Sequence, residues 1–165
     1  MLVRPTKHVM KNKLSDNCDT TEIIPRILIV EDDPEFSYYL KIVVEEAGFC
    51  PVLAPDGRAG FQQLKSMMPD LITLDLIMPD KTGIKFFSQI RKNSRYCSIP
   101  VIIITGYTDN TYPMIDFKKA LYSTTLKPPD GYFEKPVESL KLISVIRTLL
   151  ASERRKTPSS KAGAV

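Results

Sequence analysis

The polar residues with the greatest chemical reach in this sequence stand directly at the ends of short apolar runs. Glu31, Asp32 and Asp33 follow RILIV (26–30), and Asp75 follows DLITL (70–74). Thr105 closes VIIIT (101–105) with Gly106 behind it, and Lys135 closes GYFEK (131–135) with Pro136 behind it. Carboxylates crowded together repel one another. A hard divalent cation relieves the repulsion, and magnesium takes oxygen ligands while keeping waters that a phosphate can replace. A carboxylate is also a nucleophile toward phosphorus, giving an acyl phosphate. Such a transfer spreads charge over the equatorial oxygens, for which a metal, an ammonium and a hydroxyl are suitable partners. Lysine offers a compact point charge on a flexible stem. Glycine at 106 would let a phosphoryl group approach the backbone.

That chemistry needs the four places to meet, and the pattern of elements says how they can. RILIV is a continuous apolar run rich in branched residues, the mark of a strand buried on both faces. FCPVL (49–53), DLITL, VIIIT and GYFEK are four further strand candidates. Helical spacing falls between them. Phe36, Tyr39, Leu40, Val43, Val44 and Ala47 mark a first helix, with Asp33 and Pro34 at its start and Gly48 at its stop. Phe61, Leu64 and Met68 mark a second, and Ile84, Phe87 and Ile90 a third. A fourth, less regular one lies around Pro113 to Leu121, and Leu140, Ile143, Ile146 and Leu150 mark a fifth. Met67, Met68, Phe86 and Phe87 are expected in the core. Strand and helix thus alternate five times. This implies an α/β fold, a mostly parallel doubly wound sheet with helices on both faces and right-handed crossovers. On such sheets ligands bind beyond the carboxyl ends of the strands, where all the residues singled out above would gather.

Each of them also has a plainer interpretation. Asp33 is expected to be a helix cap. Glu31 and Asp32 taken alone could serve the same helix N-terminus, which favours anions. Thr105 could simply end a strand, Lys135 could be a surface lysine, and Tyr132 could be strand packing. It is their joint placement that favours metal and phosphoryl chemistry.

Composition narrows the class. The 165 residues suffice for one domain with a real core, and no run approaches a membrane span. The start, MLVRPTKHVMKNKL, has charges without the apolar stretch of a signal peptide. Cys18, Cys50 and Cys97 are odd in number and form no Cys-x-x-Cys pair, so neither a disulfide framework nor a usual zinc spacing fits. His8 is the only histidine, which argues against a histidine-based site. The net charge of +4 resides at the ends: residues 26–150 hold 15 basic and 15 acidic side chains, against 4 and 3 in residues 1–25 and 4 and 1 in residues 151–165. The expected organisation is a flexible leader over 1–25, one domain over 26–150, and a disordered basic tail over 151–165. A cytoplasmic protein is expected, without direct nucleic-acid binding or membrane association.

ILIVEDDP (27–34), LDLIMPDKTG (74–83), IIITG (102–106) and YFEKP (132–136) resemble, in order, the motifs of response-regulator receiver domains of two-component signal transduction. The resemblance covers about residues 26–150. It implies a flavodoxin-like (βα)5 sandwich with strand order 2-1-3-4-5. It implies that Asp75 is the phosphoacceptor, and that Glu31 and Asp32 hold Mg2+ (or Mn2+) together with Asp75 and the Ile77 backbone carbonyl. Thr105 resembles the switch hydroxyl, Lys135 the lysine that contacts the phosphoryl group, and Tyr132 the aromatic that rotates on activation. The bond to Pro136 is typically cis in that family. The donor would be a phosphohistidine on a histidine kinase or phosphotransfer protein. The chain would then be a single-domain regulator or relay intermediate, a phosphoacceptor rather than an enzyme in its own right, passing its signal to another protein. The alternative is a non-switching interaction module of receiver fold.

Two departures from the pattern stand out. The stretch between Gly106 and Lys135 is long and carries Lys127-Pro128-Pro129-Asp130 in place of a small-residue segment, a turn-rich insertion that alters the fourth-helix region. Ile77 and Tyr107 are bulky where they flank the acceptor, which predicts slow self-dephosphorylation. Two other classes fit less well. A dehalogenase-type phosphatase would need an aspartate at 77. A nucleotide-binding flavodoxin-like protein would not place Glu31-Asp32-Asp33 where a phosphate loop belongs.

Overall fold

The computed structural model describes residues 24–78, 82–106 and 126–156. The expected fourth helix, Tyr107, His8, Cys18 and the chain beyond 156 lie outside the described residues. Five strands, β1 (Arg26–Val30), β2 (Cys50–Ala54), β3 (Leu71–Leu74), β4 (Val101–Thr105) and β5 (Gly131–Glu134), form one parallel sheet in the order β2-β1-β3-β4-β5. Four helices accompany them among the described residues: α1 (Pro34–Glu46), α2 (Gly57–Ser66), α3 (Thr82–Lys92) and α4 (Ser139–Lys156), the last being the fifth helical pattern of the sequence. The fold is thus the doubly wound, flavodoxin-like one expected.

Side chains alternate across the pleat, so each apolar strand feeds two cores. Leu28, Val30, Ile72, Leu74, Val101 and Ile103 face Leu64 of α2 and Phe86, Phe87 and Ile90 of α3. Ile27, Ile29, Leu71, Ile102 and Ile104 face Leu40 and Val44 of α1 and Leu142, Ile146 and Leu150 of α4. This two-sided burial is why the runs read as continuous rather than alternating.

Local chemistry fixes where α1 begins and ends. The Asp33 carboxylate accepts from the N–H groups of Glu35 and Phe36, at 2.9 and 3.2 Å, and Pro34 supplies the first turn. Gly48, at φ 86°, turns the chain out of the helix into β2.

Two side chains fall elsewhere than expected. Met68 lies past the end of α2 and is exposed, because Met67 is already extended and Pro69 disfavours helical backbone before it. Leu140 is 79% exposed: it sits two residues, about 200° of helix, from Leu142, and the buried face runs through 142, 146 and 150. Helix α4 also continues past Leu150, where the domain was expected to end, to Lys156.

The 127–130 segment is tied down by the buried Arg91 and by Asp130. Arg91, on α3, donates to the carbonyls of Lys127 (3.1 Å), Cys97 (3.1 Å), Ile99 (2.8 Å) and Pro128 (3.3 Å) and to the Asp130 carboxylate (2.8 Å). Asp130 in turn accepts from the Val101 N–H at 2.9 Å and pairs with Lys127 at 2.8 Å. Burial pulls the Arg91 pKa below its usual value, with Asp130 opposing. A planar fork with five donors suits this crowd of acceptors and an ammonium does not. Arg91→Lys is therefore expected to lower unfolding stability in urea by roughly 2–4 kcal/mol, since it strands buried carbonyls and part of Asp130. A loss near zero would show that the guanidinium is incidental to the connection.

Candidate functional site

Parallel pairing brings the carboxyl ends of the strands to one edge, and the ladder continues one residue beyond them. The Glu31 N–H donates to the Ala54 carbonyl (3.0 Å), the Asp75 N–H to Val30 (3.0 Å) and the Lys135 N–H to Thr105 (2.9 Å). The backbones under Glu31, Asp75 and Lys135 are therefore fixed by the sheet itself. Their side chains converge. The Lys135 ammonium donates to Asp75 Oδ2 at 2.7 Å and to Glu31 Oε1 at 2.8 Å. The second Asp75 oxygen, Oδ1, accepts from the Ile77 N–H at 2.9 Å. Glu31 and Asp75 are buried, and Asp32 beside them is exposed.

Ligand oxygens of Glu31, Asp32 and Asp75 all lie within 4.8 Å of one another. Three carboxylates against one ammonium leave an excess of negative charge. The donors are hard oxygens, with one side open through Asp32, so the set fits a hard divalent cation. The Lys135–Pro136 peptide bond is cis. Gly106 is exposed beside Lys135: a Cβ there would sit 3.9 Å from Lys135 Cδ. Thr105 is fully buried, and its hydroxyl has no hydrogen-bond partner among the described residues. Tyr132 is half-buried on β5 and packs on the core face of α2 and α3. Asp33 caps α1, as expected.

The site's electrostatics follow from burial. Desolvation, reinforced by the charge on Asp75 and opposed by Lys135, raises the Glu31 pKa from 4.5 to about 7. Burial would lower the pKa of Lys135, but its bonds to Asp75 and Glu31 outweigh that, and the net shift is upward. Lys135 is therefore a permanent cation here.

Two contributors escaped the sequence reading. Gly83 presses the first turn of α3 against the loop after β3: a Cβ there would lie 2.7 Å from Leu76 Cα and also collide with the Asp75 carbonyl. The TG that follows MPDK was a signal for it. Phe36 was taken as part of a helical face, yet its ring lies under the Lys135 ammonium, 4.3 Å from Nζ to the ring centroid.

A five-stranded parallel sheet of order 2-1-3-4-5, with an acid cluster and a lysine bridged at its carboxyl edge, defines the flavodoxin-like receiver class. The model of the response regulator receiver domain matches residues 27–147, and the chain belongs to that family. It is 30% identical over 138 residues to the DNA-binding dual master transcriptional regulator RpaA of Synechocystis, covering 84% of this chain and 54% of that protein. It is 32% identical over 133 residues to the phosphate regulon transcriptional regulatory protein PhoB of Escherichia coli, covering 81% and 53%. The chain thus spans about half the length of these curated relatives. Among solved structures, the signal receiver domain of a signal transduction histidine kinase from Syntrophus aciditrophicus matches with a TM-score of 0.69 at 29% identity, covering 85% of this chain and 99% of that one. Among the described residues no helix is long and apolar enough to cross a membrane.

The raised pKa of Glu31 has a definite sign in stability. The folded protein binds a proton at Glu31 more tightly than the unfolded chain, so this contribution is full below pH 4.5 and is lost as pH rises through about 7. In EDTA, wild type is expected to lose stability relative to Glu31→Gln between pH 5 and 8, by on the order of 2 kcal/mol. Parallel stability curves for the two proteins would contradict the assigned burial cost.

Proposed function

We propose that Asp75 accepts a phosphoryl group from a phosphohistidine on a histidine kinase or histidine phosphotransfer protein. The observation that carries this is the Lys135 ammonium bridging Asp75 and Glu31 at 2.7 and 2.8 Å at the sheet's carboxyl edge. Asp75 Oδ1 is held by the Ile77 N–H, and Oδ2 faces the cation that can follow it to a phosphoryl oxygen. An Asp75 oxygen attacks phosphorus while the P–N bond breaks, and the bonding pair stays on the departing imidazole nitrogen. Glu31, Asp32, Asp75 and the Ile77 carbonyl would hold Mg2+, with Mn2+ meeting the same ligand demand. When bound, the ion neutralises the carboxylates and the oxygens in transfer.

Lys135 supplies a fixed positive charge to those oxygens. Thr105 supplies a hydroxyl from a position where it is buried and lacks a partner among the described residues, so a bond to a phosphoryl oxygen would satisfy it. Tyr132, two strand positions before Glu134, is the aromatic placed to respond. Acylphosphate formation then shifts the domain between two populations, and a downstream protein reads the shift. The receiver shares in catalysing its own phosphorylation and dephosphorylation without acting on a separate substrate. The proposed setting is the cytoplasm, where such donors work, with Cys50 and Cys97 as free thiols and no contact of this domain with nucleic acid or membrane.

Intact-mass spectrometry with acetyl phosphate and Mg2+ tests the proposal. One added phosphoryl group is expected in the wild type, and none with EDTA or in Asp75→Ala. Labelling that survives Asp75→Ala would place the acceptor elsewhere. Ile77 is half-buried beside the acceptor, and Tyr107 lies outside the described residues. If these bulky groups hinder attacking water, Ile77→Asn with Tyr107→Glu shortens the acylphosphate half-life several-fold. An unchanged half-life would remove shielding as the cause of slow hydrolysis.

A further inference from the structure

We infer that Phe36 is a positioning residue for Lys135, holding the ammonium over the acceptor through the face of its ring. The inference rests on the phosphoacceptor reading for its consequence, though not for its geometry. A lysine ammonium has three N–H donors. Two go to Asp75 and Glu31, at 2.7 and 2.8 Å. The Phe36 ring centroid lies 4.3 Å from Nζ, well within the range of a cation–π contact. Two carboxylates and one ring face thus meet the ammonium among the described residues.

The ring is itself held in place from two directions. The Asp33 carboxylate accepts from the N–H of Phe36 at 3.2 Å, and the Asp33 N–H donates at 3.3 Å to Glu31 Oε1, the same oxygen that takes Lys135. Contacts therefore close a circuit through Glu31, Asp33, Phe36 and Lys135. On the other side, Tyr39, one turn along α1, packs on Phe36 with ring centroids 5.7 Å apart. Its hydroxyl reaches the Val137 carbonyl at 3.3 Å, two residues past Lys135. The first two turns of α1 thus contact both the lysine side chain, through Phe36, and the backbone that follows it, through Tyr39.

The ring has a property the carboxylates lack. A hydrogen bond to a carboxylate is directional and must be broken when Lys135 turns to a phosphoryl oxygen. Attraction to a ring face varies smoothly with position over several ångströms. Phe36 can therefore keep the ammonium in place while its carboxylate partners are exchanged. An aliphatic residue at 36 would also pack on the core beneath α1 but without that attraction.

The test separates the ring's charge distribution from its bulk. Phe36→Leu, Phe36→Tyr and proteins carrying mono- and trifluorinated phenylalanine at 36 are compared with wild type. The first readout is the rate of labelling by acetyl phosphate at saturating Mg2+. It is expected to fall about three- to tenfold in Phe36→Leu, to fall stepwise with fluorination, and to recover in Phe36→Tyr. The second readout needs no phosphorylation: NMR relaxation of the Lys135 ammonium and Cε in the metal-free protein. Order at Lys135 is expected to drop in Phe36→Leu and trifluorophenylalanine and to persist in Phe36→Tyr. If the wild type takes no phosphoryl group, the phosphoacceptor reading fails and the second readout still decides this one. Lysine order and labelling rate that ignore fluorination would overturn the inference and leave Phe36 as core packing.

Discussion

One ammonium shared between two buried carboxylates governs this edge of the molecule. Glu31 and Asp75 are almost wholly removed from water, and an unpaired charge in such a place costs several kcal/mol. Lys135 meets both at hydrogen-bond distance and so makes their burial tolerable. It does not make the site neutral, because Asp32 adds a third carboxylate. Burial, with the charge of Asp75, outweighs what the one lysine returns to Glu31, and its pKa rises. A site balanced in this way is stable enough to fold and charged enough to draw in a divalent cation, which is the condition that metal-assisted phosphoryl chemistry needs.

The sheet exists in the one arrangement that satisfies this constraint. Glu31, Asp75 and Lys135 are separated by long stretches of chain, and only parallel strands with crossover helices bring their carboxyl ends to a common edge. The register does the fine placement. Val30 pairs with Leu74, so Glu31 and Asp75 emerge at the same level, while the pairings Leu74–Ile103 and Ile103–Tyr132 put Lys135 two positions further along, a difference its long side chain spans. The backbone bonds from Asp75 to Val30 and from Lys135 to Thr105 carry that order into the loops. Helix starts then adjust the rim. Asp33 sets the phase of α1, and Gly83 lets α3 approach the Asp75–Leu76 backbone closely.

What was legible in the sequence, and what was not, divides along the range of the interactions. The strands were legible because burial on both faces leaves unbroken apolar runs, and the cap at Asp33 because it is a local bond. The acid cluster and Lys135 were legible because they sit at strand ends, which the alternation of elements already locates. The exposed Leu140 and Met68 were misplaced because a period fitted to few apolar residues can be out of phase at an element's end, where Pro69 and the start of α4 decide. Arg91 gave no signal at all. Its acceptors come from the α3–β4 connection and from residues 127–130, and nothing in a local window announces that a basic residue near a helix end will be buried. Phe36 was visible as an apolar residue on α1, but its ring–ammonium contact joins residues about a hundred positions apart.

The same division separates the parts of the molecule that set chemistry from those that set its use. Asp75, its acid neighbours and Lys135 depend on the sheet edge, which tolerates little change because a shift of one residue turns every side chain to the other face. The 127–130 segment depends instead on a single side chain from α3 and on Asp130, a clamp outside the sheet ladder. Yet it enters the sheet's border, because Asp130 also receives the N–H of Val101, the first residue of β4. The strand that ends in Thr105 is thus fastened at its start by the 127–130 segment and continued at its far end by the bond from Lys135. Loss of this clamp would loosen the start of β4, and with it the hydroxyl that the proposed chemistry places beside the phosphoryl group. Arg91 and Asp130 thus hold the 127–130 segment to the start of β4 from outside the acid edge of the sheet.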